Sequence, residues 1–340
     1  MVGSRTTMAY GYPLRAPRGD VMKTNILSIG VVLAVLLASA AGQDRGSSAQ
    51  KSRRSRRQTD APRVAAPQPA KSLVFKKTPQ GELKVHFFFP PDWKPGDRRP
   101  GIIFWFGGGF VGGSPSQFYA KSEYFAGRGL VCAAAEYRVK NAHGTSLDKC
   151  VEDARSAIRW VKQHAGEYGI DPEKVIASGG SAGGTLSLLV ALATGPDAED
   201  DPKDISPRPS AMVLFNPAQG EAVTSRIDPE LCDKPRLLEQ IVGLDRPQPG
   251  QPPAIVFFGT ADGLLTPSQA FCRKAIDLGN RCELWTAEGQ GHGFFNRSPW
   301  HEATLFQADK FLASLGYLQG APTIQTDRDA VLKRQLPEGP

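Results

Sequence analysis

Five short runs of uninterrupted apolar residues, separated by patterns of helical period, narrow the folds open to this chain more than any other feature. They are Ile102 to Phe106, Leu130 to Ala135, Val175 to Ala177, Met212 to Phe215 and Ile255 to Phe258, with Cys282 to Trp285 as a weaker sixth. A strand with one face in water alternates apolar and polar residues, whereas a strand buried on both faces of a parallel sheet is apolar throughout. Between the runs, Leu147, Val151, Ala154, Ile158 and Val161 recur at helical spacing, and Thr145-x-x-Asp148 offers a capping box. Thr266-Pro267 opens another helix, with Ala270, Phe271, Ala275 and Leu278 on one face and Gly279 as its C′ residue. A last helix runs from about Trp300 to Leu315. This alternation predicts an α/β fold with a mostly parallel central sheet and helices on both faces. Ligands of such sheets bind at the carboxyl ends of the strands. Ahead of the first run, Ser72 to Phe89 alternates about a Pro79-Gln80-Gly81 turn, with Leu83, Val85, Phe87 and Phe89 on one face, and so predicts an antiparallel edge pair.

The sheet occupies residues 72–320, and the flanking segments read differently. Met22-Lys23-Thr24-Asn25, the apolar run Ile26 to Leu37 and Ala38-Ser39-Ala40 have the three-part pattern of a secretory signal, placing it in residues 1–42, with either Met22 as the true start or residues 1–21 as an unusually long n-region. The apolar run falls short of the ~20 residues a membrane span needs, so no stable span is expected after cleavage. Export, to a bacterial periplasm or the medium, is the expected location. Residues 43–71 are Arg, Ser, Gln, Pro and Ala with little to bury, the composition of a disordered basic linker. Residues 1–71 hold 12 Lys+Arg against 3 Asp+Glu, an excess of +9 that exceeds the +7 of the whole chain and leaves the remainder near −2. The basic pI therefore belongs to the leader and linker, and nucleic acid is not an expected partner of the folded body. Residues 321–340 read as a polar tail. Of the five cysteines, Cys272 and Cys282 flank a helix-to-strand connection and are the candidate disulfide pair, since export permits disulfides.

The chemistry is concentrated in four places. Gly179-Gly180-Ser181-Ala182-Gly183-Gly184 follows one buried run and precedes a helical pattern, so Ser181 sits where a strand turns sharply into a helix. A nucleophile on such a turn needs glycines two residues before and after it to avoid side-chain clashes. Phe106-Gly107-Gly108-Gly109-Phe110 ends an earlier run. Its contiguous glycines lack the Lys-Ser/Thr of a Walker loop and the spacing of a dinucleotide turn, and they suit backbone donors for an oxyanion. Gly108, Gly109 and Ala182 are the expected donors. Of the histidines that follow Ser181, His292 lies in a glycine-rich loop after the last run, while His301 opens a helix as an exposed first-turn residue. Asp262, just past Ile255 to Phe258, is the expected acid, ahead of Asp233 and Asp245. Ser181, Asp262 and His292 stand in the chain order of a nucleophile–acid–base set that needs neither metal nor cofactor.

With these residues in place, the chain resembles the α/β-hydrolase superfamily across roughly residues 80–318. More narrowly it is similar to hormone-sensitive-lipase-like esterases and the related bacterial acetyl and feruloyl xylan esterases. The supporting stretches are Trp105 to Phe110, Glu136-Tyr137-Arg138, Asp153 to Trp160 and Gly169-Ile170-Asp171-Pro172, besides the motifs above. The resemblance implies a serine carboxylesterase working through an acyl-enzyme on small acyl esters or acylated polysaccharide. Two positions depart from the pattern: Phe106 stands where the family usually has His, and Gly180 where the lipase-like group often has Asp. The first departure predicts an oxyanion loop braced in some other way. The family's helical N-terminal cap is replaced by the basic linker, so access to the pocket falls to the Pro- and charge-rich insert Pro217 to Pro253. Rival readings are a prolyl-oligopeptidase-type peptidase, which would need a large extra domain, and a binding protein on the same fold, which would typically lack one of the three residues.

Overall fold

The structure, a computed structural model, describes residues 66–192, 195–220, 239–241 and 243–336. The signal segment, most of the linker, Cys232, Asp233 and much of the insert lie outside the described residues. One nine-stranded sheet organises the rest, in the order β1-β2-β4-β3-β5-β6-β7-β8-β9. The strands are β1 (Lys71–Thr78), β2 (Gly81–Phe88), β3 (Arg99–Trp105), β4 (Val131–Ala135), β5 (Ile170–Gly180), β6 (Ala211–Phe215), β7 (Ala254–Gly259), β8 (Cys282–Ala287) and β9 (Leu332–Arg334). From β4 through β8 all neighbours pair in parallel, while β1, β2 and β9 join antiparallel. Every apolar run of the sequence is thus a parallel strand of the sheet, including the weak sixth, and the alternating segment is the antiparallel edge pair.

Helices cover both faces. Helices α2 (Leu147–Gln163), α3 (Ala182–Ala191) and α4 (Leu265–Asp277) pack one face through Leu147, Val151, Ile158, Leu186 and Phe271. On the other face α1 (Tyr119–Gly127) and α5 (Trp300–Ser314) bury Phe125, Leu305 and Leu312 against Phe104, Phe215 and Phe257. Burying each such side chain contributes roughly 1.5–3 kcal/mol. Helix α1 follows β3 and α3 follows β5, on opposite faces, although the two strands are neighbours. Chain segments leaving adjacent strands in opposite directions open a crevice at the strands' carboxyl ends, and ligands of such sheets bind there.

Three local expectations change. Helix α2 is entered through Ser146 rather than Thr145; the Ser146 hydroxyl donates to the Asp148 carboxylate, while the Thr145 hydroxyl is buried without a partner. The tail beyond residue 320 contains β9, whose three residues pair with Trp285, Thr286 and Ala287 of β8. Backbone bonds to an open sheet edge hold so short a strand, so no apolar pattern was needed to place it. Cys272 and Cys282 do meet, with sulfurs 2.6 Å apart and buried, but both are free thiols. No helix among the described residues is long and apolar enough to cross a membrane.

Candidate active site

Five neighbouring strands, β3, β5, β6, β7 and β8, end at the crevice, and each delivers one part of the site immediately beyond its last residues. Strand β5 delivers Ser181, whose backbone is forced to φ 51, ψ −118 before α3 begins at Ala182. A non-glycine residue adopts such a conformation only when its surroundings impose it. Here the Ser181 N–H is held by the Phe215 carbonyl at 2.9 Å, and its own carbonyl accepts from the Thr185 N–H at 3.0 Å. The flanking glycines have a steric reason: a Cβ on Gly183 would lie 1.9 Å from the Trp105 carbonyl oxygen, and one on Gly179 would lie 2.5 Å from Gly183.

Strand β8 delivers His292, with Nε2 2.9 Å from Ser181 Oγ. Its Nδ1 lies 2.7 Å from Asp262 Oδ2, at the end of β7. A carboxylate accepts, so Nδ1 carries the hydrogen, and Nε2 is left as the acceptor for the Ser181 hydroxyl. The Asp262 side chain is fully buried. It also accepts from Asn216 Nδ2 at 2.7 Å and from the Leu264 N–H at 3.0 Å. Burial alone would raise the Asp262 carboxyl; bonds from His292, Leu264 and Asn216, with the attraction of the His292 ring, outweigh it and hold the carboxyl below its usual range. The acid and histidine loops are stitched together, with Ala261 N–H donating to the Gln290 carbonyl at 2.9 Å and Gly289 N–H to Thr260 Oγ1 at 2.8 Å.

Strand β3 delivers the glycine loop. Gly107 lies directly against the serine, since a Cβ there would approach Ser181 Cβ to 3.2 Å and the Gly180 carbonyl oxygen to 2.9 Å. Gly108 has φ 131, and a Cβ on it would strike the Gly112 carbonyl oxygen at 2.1 Å. The N–H groups of Gly108 and Gly109 donate to no loop carbonyl or side chain among the described residues. Ala182 begins a helix, where N–H groups have no intrahelical acceptor. The three expected donors thus have no acceptor among the described residues, and the glycine loop meets the serine through Gly107. Phe106 replaces the usual histidine by stacking: its ring lies 4.2 Å from that of Tyr137, and the Tyr137 hydroxyl donates to the Phe106 carbonyl at 2.8 Å. Tyr137 is itself anchored through its neighbour Arg138, which grips the fully buried Asp153 carboxylate of α2 at 2.7 and 2.8 Å. The stretches Glu136-Tyr137-Arg138 and Asp153 to Trp160 are therefore the two halves of one brace.

Sequence reasoning passed over Asn216. It stands one residue past a buried strand, on the same end of the sheet as Asp262, with φ 45. A polar residue just beyond an apolar run on the ligand side of the sheet was the available signal. His301 is half-buried rather than exposed, and Lys121 Nζ donates to its Nδ1 at 2.9 Å. Burial, then the adjacent Lys121 charge, lowers the His301 imidazole to about 4. His143 and His164 are engaged locally, at the Val139 N–H and the Trp160 carbonyl. Asp245 lies in the short turn Gly243–Asp245 before β7. Beside His292 a cavity of about 370 Å³ is lined by Gln290, Phe294, Arg297 and Trp300. A larger one of about 620 Å³, between Lys162 and Ser210, shares no residue with the site. Among the described residues no cluster of three or more His, Cys, Asp or Glu could hold a metal.

Comparison with known proteins adds to this geometry. The protein family described as BD-FAE matches residues 88–214. Esterase 2 of Thermogutta terrifontis, in its apo form, is 40% identical, with a TM-score of 0.69 over 75% of this chain and 98% of that one. The same esterase phosphonylated by sarin is 40% identical, with a TM-score of 0.69 over 74% and 96%. Esterase LipI of Mycobacterium tuberculosis is 29% identical over 114 residues, 33% of this chain and 35% of its own length. Carboxylesterase NlhH of the same organism is 28% identical over 111 residues, 32% and 34%. The matched stretch thus spans about a third of the length of these curated relatives.

Proposed function

This chain belongs to the hormone-sensitive-lipase-like carboxylesterase family of α/β-hydrolases, and from that premise we propose that it is an exported serine carboxylesterase that cleaves short-chain acyl esters carried on polysaccharide. The observation that carries the reading is the line Ser181 Oγ–His292 Nε2–Asp262, at 2.9 and 2.7 Å, with the glycine loop packed against the serine at Gly107. Ser181 Oγ attacks the ester carbonyl carbon as His292 Nε2 takes its proton. The carbonyl oxygen becomes an oxyanion and is received by the N–H groups of Gly108, Gly109 and Ala182, worth about 3–4 kcal/mol for a single well-placed donor. The C–O bond to the alcohol breaks, and His292 returns its proton to the leaving oxygen. Water, deprotonated by the same nitrogen, then releases the acid and restores Ser181. Asp262 fixes the ring's tautomer and stabilises its cationic form throughout.

The short acyl group is supported by Thermogutta terrifontis esterase 2, which has been solved with propionate and with butyrate bound. Export is supported by the signal pattern in residues 1–42, and a polysaccharide ester is the substrate such an address would offer. The test is hydrolysis of 4-nitrophenyl esters from acetate to dodecanoate, followed by acetate release from acetylated xylan. The proposal expects activity confined to the short esters and acetate release from the polymer. Equal activity on dodecanoate would overturn the short-chain assignment, and no activity on any ester would overturn the esterase reading.

A further inference from the structure

The donors of the oxyanion site are backbone groups, so their direction depends on what holds the loop 106–109. The peptide plane joining Phe106 and Gly107 comes directly before them and is clamped at both polar ends. Its carbonyl accepts from the Tyr137 hydroxyl at 2.8 Å, and its N–H donates to Gln117 Oε1 at 2.7 Å. With that rigid plane held at both ends, only φ and ψ of Gly107 remain to set the direction of the next N–H, that of Gly108. The Gln117 amide is engaged at its other end as well: Nε2 donates to Asn296 Oδ1 at 3.2 Å. Asn296 lies four residues past His292, and its own Nδ2 donates to the Gly293 carbonyl at 3.0 Å. One half-buried side chain thus spans the oxyanion loop and the loop carrying the base, which are separated by nearly 190 residues of sequence. Helix α1, which follows the short turn bearing Gln117, makes a second bond to the same loop, since Lys121 Nζ donates to the Phe295 carbonyl at 3.0 Å.

We propose that Gln117 is a positioning residue that holds the donors of Gly108 and Gly109 in register with His292. It takes over bracing that the absent histidine at position 106 does not supply. The inference rests on the esterase reading above for its chemistry. Gln117 touches neither substrate nor the reacting atoms, so its loss acts on the geometry of the transition state and leaves ground-state binding alone.

The test compares wild type, Gln117→Leu and Gln117→Glu in the full chain. Glu keeps an acceptor for the Gly107 N–H; Leu has none. For 4-nitrophenyl butyrate, Gln117→Leu should lower kcat by about 10- to 100-fold with KM within about twofold, the loss expected when donors are displaced rather than removed. Gln117→Glu keeps the acceptor for the Gly107 N–H but loses the donor to Asn296 Oδ1, so it should recover only part of the loss, with kcat about 3- to 10-fold below wild type. The rate at which a fluorophosphonate labels Ser181 should follow the same order, because the phosphoryl oxygen uses the same donors. Wild-type kcat in Gln117→Leu, a loss confined to KM, or equal losses in both variants would overturn the proposal. Should Gln117→Leu fail to fold, Asn296→Leu cuts the tie from an exposed position. A fall in kcat of about threefold or more at unchanged KM then supports the tie, and wild-type kcat refutes it. A wild type that hydrolyses no ester yet is labelled overturns the esterase reading alone, with the labelling rates still deciding on Gln117; a wild type that is not labelled overturns both.

Discussion

Ser181 and Ser72 each face a histidine that in turn faces a carboxylate, yet their surroundings differ in almost every respect that bears on nucleophilicity. Ser72 Oγ lies 2.8 Å from His86 Nδ1, and His86 Nε2 lies 3.4 Å from Glu136 Oε1. The residue types match those at Ser181. Ser72, however, sits within β1, directly opposite His86 in the antiparallel ladder, where neighbouring backbone groups serve the sheet. Ser181 sits on a strained turn at a helix N-terminus, with Gly107 of the glycine loop packed against it. The acids differ too. The Asp262 side chain is fully buried and the Glu136 side chain 31% exposed, so Asp262 meets its histidine from a side shielded from water, while the His292 ring itself stays open to solvent at 36% exposure. A serine–histidine–carboxylate line is thus cheap to make on a sheet surface, and the strained turn with its uncommitted donors is what distinguishes a site built for acyl transfer.

The comparison breaks most sharply by substitution in pairs. Ser181→Ala and His292→Ala should each lower kcat by at least about 10⁴-fold. Ser72→Ala and His86→Ala should leave it within about twofold; comparable losses from the second pair would erase the distinction drawn here. Asp262→Asn should cost about 10³- to 10⁴-fold by favouring the wrong histidine tautomer, whereas Glu136→Gln should leave turnover unchanged in the same ester assay. A smaller effect is expected at Asn216. Asn216→Leu removes one of the bonds that hold Asp262 and should lower kcat about 10-fold without loss of the fold, while a wild-type rate would show that the Leu264 N–H suffices.

The smallest effect concerns what lies beneath the Ser181 turn. Lys121 is buried among Phe118, Phe215 and Phe295, facing His301 and Glu302, and burial lowers its ammonium from 10.5 to about 7. Below pH 7 the folded and unfolded chains both hold this proton, and the cost of burying the charge is borne in full. Between pH 7 and 10.5 the unfolded chain keeps a proton the folded chain has released, so this residue makes stability rise with pH. Lys121→Met should flatten the dependence of Tm on pH over that interval relative to wild type. An unchanged slope would mean that the ammonium stays charged in the folded chain.

Much of this arrangement could be read from the sequence because burial writes itself in runs. Ile102 to Phe106 and Met212 to Phe215 are apolar on both faces because helices cover both, and Gly179 and Gly183 flank Ser181 because carbonyls stand within 3 Å of where their Cβ atoms would be. Ser181, Asp262 and His292 were legible from strand ends and chain order, and the structure brings them within hydrogen-bonding reach of one another. Gln117 and Asn216 were not legible. Each is one amide among many, and its partners come from loops that become neighbours only when the sheet assembles. The strand β9 was missed for a related reason: Leu332-Lys333-Arg334 is held by backbone bonds to β8, which leave no mark on side-chain pattern. The Ser146 cap differs from Thr145 by one residue, a shift the spacing of the helix face could not detect.

If Ser181 alone of these serines is the nucleophile, as proposed above, peptide mapping after incubation with paraoxon should find the label there and nowhere else. The account predicts a single diethylphosphoryl group on the peptide carrying Ser181, absent in Ser181→Ala and undiminished in Ser72→Ala. A phosphoryl group on Ser72, or a labelled and active Ser181→Ala enzyme, would contradict it.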